Sequence, residues 1–183
     1  MNAHIQSLET QIGTLQKELS EARRAAQPVP VEEYRLMNPD GSEVLLSALF
    51  GEHKDLLVIH NMGKHCRYCT LWADGFVSLA AHLESRTAFV LCSADAPNDL
   101  RDFAASRNWP FRTVSGVHSD FAHDMGFASP KGDPQPGVSA FHRTPDGTIT
   151  RTGYAYFGPG DAFCSVWPFF DLLANGADGW EPQ

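Results

Sequence analysis

The sequence lacks the features that mark membrane proteins and disulfide-rich secreted proteins. No apolar run approaches the roughly 20 residues that a membrane-spanning helix needs, and residues 1–24 lack the continuous apolar core of a signal peptide. Only four cysteines occur in 183 residues, which is too few for a disulfide scaffold. We therefore expect a cytoplasmic protein that does not contact membranes and whose thiols stay reduced.

Positive charge is also scarce. The chain has 14 Lys and Arg residues against 22 Asp and Glu residues, which gives a net charge of −8. A nucleic-acid surface needs clustered cations, so this balance argues against a nucleic-acid partner. Hydrophobic residues make up 43% of the chain, enough for a folded core. The length fits one domain with an appendage.

The appendage is predicted to be an amphipathic helix within residues 1–27. Apolar residues recur at alternating spacings of three and four, at Ile5, Leu8, Ile12, Leu15, Leu19, Ala22 and Ala26. Pro28 and Pro30 follow and cannot continue a helix. Because a helix of this length is marginal alone in water, it is expected to pack on its own domain or to pair with a second copy in a homodimer. Residues 28–183 form the main domain.

Predicted strands and helices alternate through residues 28–183. The apolar runs "DLLVI" and "TAFVLCSA" fit buried strands, and "TLWADGFVSLAAHLESR" between them has helical spacing. Strands that helices separate pair in parallel through right-handed crossovers. The turn sequences "NPDG" and "TPDG" predict antiparallel hairpins, and "FCSVWPFFDLLAN" predicts a closing helix. The sequence thus indicates an α/β fold with a mixed central sheet flanked by helices.

Two cysteines, Cys66 and Cys69, lie where a predicted buried strand gives way to a helix. A helix N-terminus carries unpaired N–H groups and partial positive charge, which stabilise a thiolate and lower its pKa. Lys64, His65 and Arg67 are expected to add positive charge around Cys66. The spacing of three lets Cys69 reach Cys66 within the first helical turn. The pattern is typical of a redox-active pair.

The order of strand, Cys-x-x-Cys, helix and strand resembles the thioredoxin fold. The preceding segment "YRLMNPDGSEVLLSALFG" looks like the N-terminal extension of peroxiredoxin and cytochrome-maturation proteins. More narrowly, the segments "LLVIHNM", "CRYCTLWADGF", "HSDFAHDMGF" and "PGVSAFHR" resemble a bacterial thioredoxin-like family catalogued as domain of unknown function 899. The resemblance implies a thioredoxin-like fold with a cis-proline opposite the cysteines, at Pro136. It implies no settled activity.

The most favoured function is that of a thiol–disulfide oxidoreductase. Cys66 would attack a protein or small-molecule disulfide and Cys69 would resolve the mixed disulfide, so that the internal dithiol serves as the only cofactor and no metal is needed. Arg67 and Tyr68 stand where thioredoxins have Gly-Pro, which leaves the redox potential and the partner open. The cationic surroundings predict a more oxidising couple than that of thioredoxins.

Further residues near the pair allow two interpretations each. His60 could act as a base near the second cysteine, or it could be a buried histidine hydrogen-bonded to the backbone. Trp72 could form an aromatic wall beside the site or pack in the core.

Two other functions deserve comparison with the sequence. His60, His65, Cys66 and Cys69 could bind a metal, which would make the protein a binding or assembly module. A peroxidase needs a Pro-x-x-x-Thr-x-x-Cys motif, and neither Cys66 nor Cys69 lies in one.

Overall fold

The computed structural model describes residues 2–183. Its helices are α1 Ala3–Ala25, α2 Arg67–Val77, α3 Ala80–Glu84, α4 Pro97–Ser106, α5 Phe121–Asp124 and α6 Val166–Phe170, with a 3-10 helix at Leu46–Phe50. Its strands are β1 Val29–Pro30, β2 Arg35–Met37, β3 Glu43–Leu45, β4 Asp55–Asn61, β5 Ala88–Ser93, β6 Arg112–Ser115, β7 Gly137–Arg143 and β8 Ile149–Tyr156.

All eight strands form one mixed sheet, in the order β1-β8-β7-β4-β5-β6-β2-β3. The β4, β5 and β6 strands are parallel to one another, whereas β7 and β8 run antiparallel beside β4. The predicted mixed sheet flanked by helices, with an extra N-terminal helix, is confirmed. The β1 strand was not predicted. It lies at the sheet edge, where Pro30 costs no hydrogen bond inside the sheet.

The sheet has a core on each face, because the central strands are apolar on both sides. We call them the α2 face and the α5 face after the helices that cover them. The α2 face carries Ile59 and Leu91 and packs against α2, α4 and α6. The α5 face carries Val58 and Val90 and packs against α5 and the 3-10 helix. Alternate residues of β4 therefore belong to different cores.

Two predicted helices are shorter than expected. The helix after the cysteines divides into α2 and α3, and the hydroxyl of Ser78 at the break donates to the carbonyl of Gly75 (3.4 Å), a local bond that competes with helix continuation. The closing helix stops at Phe170. Leu172 and Leu173 beyond it are 82% and 58% exposed, so no apolar contact supports further turns.

The α1 helix contributes no buried residue. The apolar residues of its predicted stripe are 43–62% exposed at Ile5, Leu8, Ile12, Leu15 and Leu19. In the structure, this stripe therefore does not pack on the helix's own domain. The division of the chain at residue 27 stays a prediction. Among residues 2–183, none of the helices has the length and apolar character that crossing a bilayer requires.

Candidate functional site

Two side-chain oxygens hold the start of the loop between β4 and α2 in place. The side chain of Asn61 accepts a hydrogen bond from Gly63 N–H (2.8 Å), and the Asp95 carboxylate accepts one from Lys64 N–H (2.7 Å). Gly63 has a φ of +106°, a conformation that residues with a side chain rarely adopt. A Cβ there would also lie 2.8 Å from the Asp95 carboxylate. The loop therefore leads into α2 along one defined path.

Cys66 is the N-cap residue of α2, and its sulfur takes the place of the usual capping oxygen. The backbone N–H of Cys69 donates to Cys66 Sγ at 3.1 Å. Cys66 is half-buried and Cys69 is 3% exposed, and both are free thiols. One sulfur can therefore meet a substrate from outside, while the other lies behind it within the first helical turn.

The two thiols differ strongly in acidity. The hydrogen bond from the Cys69 side chain, with further bonds from the backbone N–H groups of Cys69 and Tyr68, lowers the pKa of Cys66 to about 6, against the opposing effect of burial. The same bond to Cys66, together with burial, raises the pKa of Cys69. At neutral pH Cys66 is therefore a thiolate and Cys69 a protonated thiol.

Nearby cations do not cause this acidity, contrary to the expectation for Lys64, His65 and Arg67. The ammonium group of Lys64 pairs with Asp99 at 2.9 Å, and His65 and Arg67 are exposed to solvent. The causes that lower the pKa of Cys66 are hydrogen bonds. Nearby cations therefore give no support to the prediction of a more oxidising couple. The support that is left is the set of hydrogen bonds at the start of α2.

Aromatic side chains adjoin the pair on its helical side. The ring of Tyr68 lies 6.3 Å from Trp72 and 6.1 Å from Trp167, measured between centroids. Trp72 is 3% exposed and belongs to the core of the α2 face, so it packs in the core. Tyr68 is only partly buried and stands between the two cysteines in sequence. It is therefore the aromatic residue of this group that a substrate can reach.

His60 does not lie with the cysteines. Its ring is on the α5 face, stacked 3.9 Å from Phe127, and its Nε2 pairs with Ser139 Oγ at 3.0 Å. Burial, with the charge of Arg151, lowers the pKa of His60 to about 3. The interpretation of His60 as a base at Cys69 is therefore wrong. His60 is a buried histidine, as the other interpretation had it, but its hydrogen-bond partner is the side chain of Ser139 and not the backbone.

The four suggested metal ligands do not come together, because His60 lies on the α5 face and His65, Cys66 and Cys69 lie at or next to the start of α2. Among residues 2–183, no group of three or more His, Cys, Asp or Glu side chains is arranged to hold a metal ion.

Pro136 directly precedes β7, whose first residue Gly137 pairs with His60 near the end of β4. Pro136 thus lies at the sheet edge from which the cysteine loop departs. The expectation of a cis peptide is wrong, since residues 2–183 contain none. The carbonyl of Pro136 accepts from Phe157 N–H (3.0 Å), a bond that ties it to the end of β8.

Asp95 and Trp167 were not recognised from the sequence. Asp95 follows β5, the parallel neighbour of β4, and the carboxyl ends of parallel strands meet at one edge. That topology could have identified Asp95 as a neighbour of the loop. Trp167 comes from the C-terminal segment, about a hundred residues from Tyr68, and no local signal connects the two.

Several solved structures share this architecture. The chain is similar to peroxidoxin BcpB from Mycobacterium tuberculosis, with 22% identity, a TM-score of 0.54 and coverage of 67% of this chain and 80% of that one. A peroxiredoxin-like protein from Aquifex aeolicus matches with 16% identity, a TM-score of 0.51 and coverage of 70% and 74%. A hypothetical protein from Sinorhizobium meliloti 1021 matches with 10% identity, a TM-score of 0.54 and coverage of 86% and 87%.

These similarities establish the thioredoxin-like fold that the sequence predicted. No protein with a curated description matches the chain. The model of a family described as "Bacterial protein of unknown function (DUF899)" matches residues 2–181, almost the whole length. The chain therefore belongs to the DUF899 family.

Proposed function

We propose that the protein is a thiol–disulfide oxidoreductase in which Cys66 is the attacking thiolate and Cys69 the resolving thiol. The observation that carries this proposal is the hydrogen-bonded pair at the start of α2. Its outer sulfur, Cys66, has a pKa of about 6, and its inner sulfur, Cys69, is buried and held protonated. Attack requires a thiolate at neutral pH, and resolution requires a second thiol within reach of the first.

The reaction transfers two electrons from the dithiol to a substrate disulfide. The Cys66 thiolate attacks one substrate sulfur, a mixed disulfide forms and the other substrate sulfur departs as a thiolate. The departing thiolate takes up the proton that Cys69 loses. Cys69 then attacks Cys66 Sγ, which closes the Cys66–Cys69 disulfide and releases the second substrate thiolate. A dithiol reductant restores the pair, which suits the reducing cytoplasm.

We assign the substrate surface to the half-buried and exposed residues beside Cys66. Tyr68 offers an aromatic ring, His65 and Arg67 are exposed at the same loop, and Pro136 borders the loop at the sheet edge. These groups suit a protein or small-molecule disulfide. Lys64 contributes through its backbone bond to Asp95 and Trp72 through packing under Tyr68, so both position the loop and helix.

The proposal is tested by treating the reduced protein with oxidised glutathione across a range of pH. We expect both thiols of the pair to be lost. Peptide mapping should then identify a disulfide between Cys66 and Cys69, while Cys92 and Cys164 stay reduced. The rate should rise with pH and level off above a midpoint near 6, because the thiolate forms as pH passes the pKa of Cys66.

The matched control is Cys69→Ala, which removes the side-chain hydrogen bond but keeps the backbone N–H donor. Its midpoint should move up toward the value of about 8.5 for an ordinary thiol. A midpoint that stays the same, or a disulfide that forms between other cysteines, contradicts the proposal. Thiols that become reactive only after a chelator removes bound zinc would favour the binding module instead.

We propose further that α1 pairs with α1 of a second copy as a parallel coiled coil. Ile5 and Ile12 occupy one heptad position and Leu8 and Leu15 the other, the distribution that favours two parallel strands. In that arrangement Glu18 of one helix faces Arg23 of the other. The exposed stripe would then be buried, which offsets the marginal stability of a single helix.

The variant Leu15→Glu tests the dimer. It should weaken association by roughly a hundredfold, since each of two leucines loses about 1.5 kcal/mol of burial. Sedimentation of the full chain over a concentration series measures the change. Gln6→Glu, on the solvent side of the same helix, should leave association nearly unchanged. A wild-type chain that remains monomeric at high concentration, or equal effects of the two variants, would exclude this arrangement.

A further inference from the structure

A cavity of about 420 Å³ lies between the C-terminal end of α1 and the α2 face of the sheet. We call it the Arg24 cavity. The helix contributes Ser20 and Arg24 to its lining, and the strands β4, β7 and β8 contribute Leu57, Val138 and Gly153. Its volume is within the range of small-molecule sites.

The floor of the Arg24 cavity is an apolar part of the α2 face that the helices leave uncovered. Leu57 and Val138 belong to this face. Gly153 pairs with Ala140, which in turn pairs with Leu57, and directly opposite residues share one face of a sheet. Ile59 on the same face is 5% exposed, whereas Leu57 and Val138 are only partly buried. An apolar molecule on this floor would therefore cover surface that the protein leaves exposed to water.

The cavity has room above its floor and an aromatic side chain in its lining. A Cβ at Gly153 would meet no atom within 4 Å outside its chain neighbours, so open space adjoins the strand there. Phe163 lines the same cavity and is 39% exposed. The lining thus suits the body of an apolar molecule at more than one point.

Arg24 places a positive charge at the rim of this apolar floor. Its Nη1 donates to Ser20 Oγ at 3.1 Å, and because both residues line the cavity, this bond holds the guanidinium beside it. Arg24 is exposed and forms no ion pair within residues 2–183. Arg23 adds a second cation, and none of the described lining residues is acidic. In a chain with a net charge of −8, this cavity therefore favours an anion, and a guanidinium suits a carboxylate.

The position of Arg24 on α1 is compatible with the coiled coil proposed above. Arg24 is two residues from Ala22 and two from Ala26, which places it on the side of the helix opposite the apolar stripe. Pairing of α1 with a second copy therefore leaves Arg24 available. The site needs neither that pairing nor the redox function.

We propose that the Arg24 cavity binds a small organic anion with a carboxylate head and an aliphatic body, of the class of medium-chain fatty acids. The carboxylate pairs with the guanidinium of Arg24, and the aliphatic chain covers Leu57 and Val138. An uncharged molecule with the same body would lack the ion pair. A cation with that body would meet a like charge at the rim.

The test compares two probes with the same chain on the unaltered full-length protein. Octanoate carries the carboxylate, and octanol replaces it with a hydroxyl group. Titrations followed by NMR should show saturable binding of octanoate with shifts at Leu57, Val138 and Gly153. At low salt octanoate should bind about threefold to fivefold more tightly than octanol, the contribution of an exposed ion pair. Sodium chloride at about 0.5 M should reduce this difference, because salt screens exposed charges.

Three variants separate the two parts of the site. Arg24→Gln should lower the affinity for octanoate to that for octanol and leave octanol binding unchanged. Lys17→Gln is the matched control, because it removes the same charge from the same side of α1, two turns earlier, at a residue outside the lining. It should change neither affinity. Gly153→Val places a side chain on the floor and should weaken both probes.

Several results would overturn the proposal. Equal affinities of the two probes for the wild-type chain would exclude a role of the charge, and an absence of shifts at the floor residues would exclude the cavity. Equal effects of Arg24→Gln and Lys17→Gln would show that net charge attracts octanoate and not a site. Shifts at Gly153 that grow with protein concentration without a probe would place a second copy in the cavity. Because the comparison of probes uses the unaltered protein, it stands even if a variant folds poorly.

Discussion

Replacing Cys66 with serine is expected to abolish disulfide reduction, with a fall of at least about a hundredfold in the rate of insulin reduction by dithiothreitol. A serine hydroxyl stays protonated at neutral pH and is a weak nucleophile without a base beside it. His60, the histidine that the sequence suggested as a base, lies on the other face of the sheet. The variant therefore loses the thiolate, and no group in the described site replaces it.

Serine is also the substitution least disruptive to the helix. Cys66 caps α2 through its sulfur, and serine is among the preferred N-cap residues. Lost activity in Cys66→Ser can therefore be attributed to chemistry once circular dichroism shows an unchanged fold. Cys164→Ala is the matched control, because it removes a buried sulfur that plays no part in the proposed reaction, and it should keep near wild-type activity. Activity that survives in Cys66→Ser would end the oxidoreductase proposal.

The sequence predicted most strands because each carried its own local signal. The turn "NPDG" predicts the hairpin of β2 and β3, and "TPDG" predicts that of β7 and β8. The short strand β1 could not be predicted, since two residues containing Pro30 have no strand pattern and depend on β8 for pairing. The early end of α6 likewise depends on the exposure of Leu172 and Leu173, which only the tertiary structure determines.

The position of His60 shows why one part of the site was mispredicted. The β4 strand is apolar on both faces, so its sequence pattern does not reveal which face each residue joins. Only Phe121 and Phe127, more than sixty residues away, make the α5 face the one that receives the imidazole. The cysteine pair was easier to place, because a spacing of three at a helix start is a local feature.

The charged residues near Cys66 show the same limit of prediction from sequence. Three cationic residues near a thiol in sequence suggested that they stabilise its thiolate. Lys64 instead pairs with Asp99, which comes from α4 and lies 35 residues along the chain. The hydrogen bonds from Cys69 and Tyr68, which arise within the first helical turn, cause the low pKa. Short-range geometry was thus predictable, and the direction of long side chains was not.

Replacing Gly137 with alanine is expected to lower the free energy of unfolding by about 3 kcal/mol, measured by urea denaturation. An added Cβ would lie 2.2 Å from a ring carbon of Phe127 and 2.4 Å from the carbonyl oxygen of Ala155. Phe127 cannot move aside, because it is fully buried between His60 and Tyr156. The Ala155 carbonyl belongs to β8, the strand that pairs with Gly137, so relief requires the two strands to separate.

Gly153→Ala is the matched control on β8. A Cβ at Gly153 would have no atom within 4 Å outside its chain neighbours, and the unfolded chain would lose some of its freedom. This variant should change stability by no more than about 0.5 kcal/mol. Equal stabilities of the two variants would show that β7 and β8 are not packed against Phe127 as described. The contrast therefore tests the junction between Pro136, at the sheet edge near the cysteine loop, and the Phe127 ring that stacks on His60.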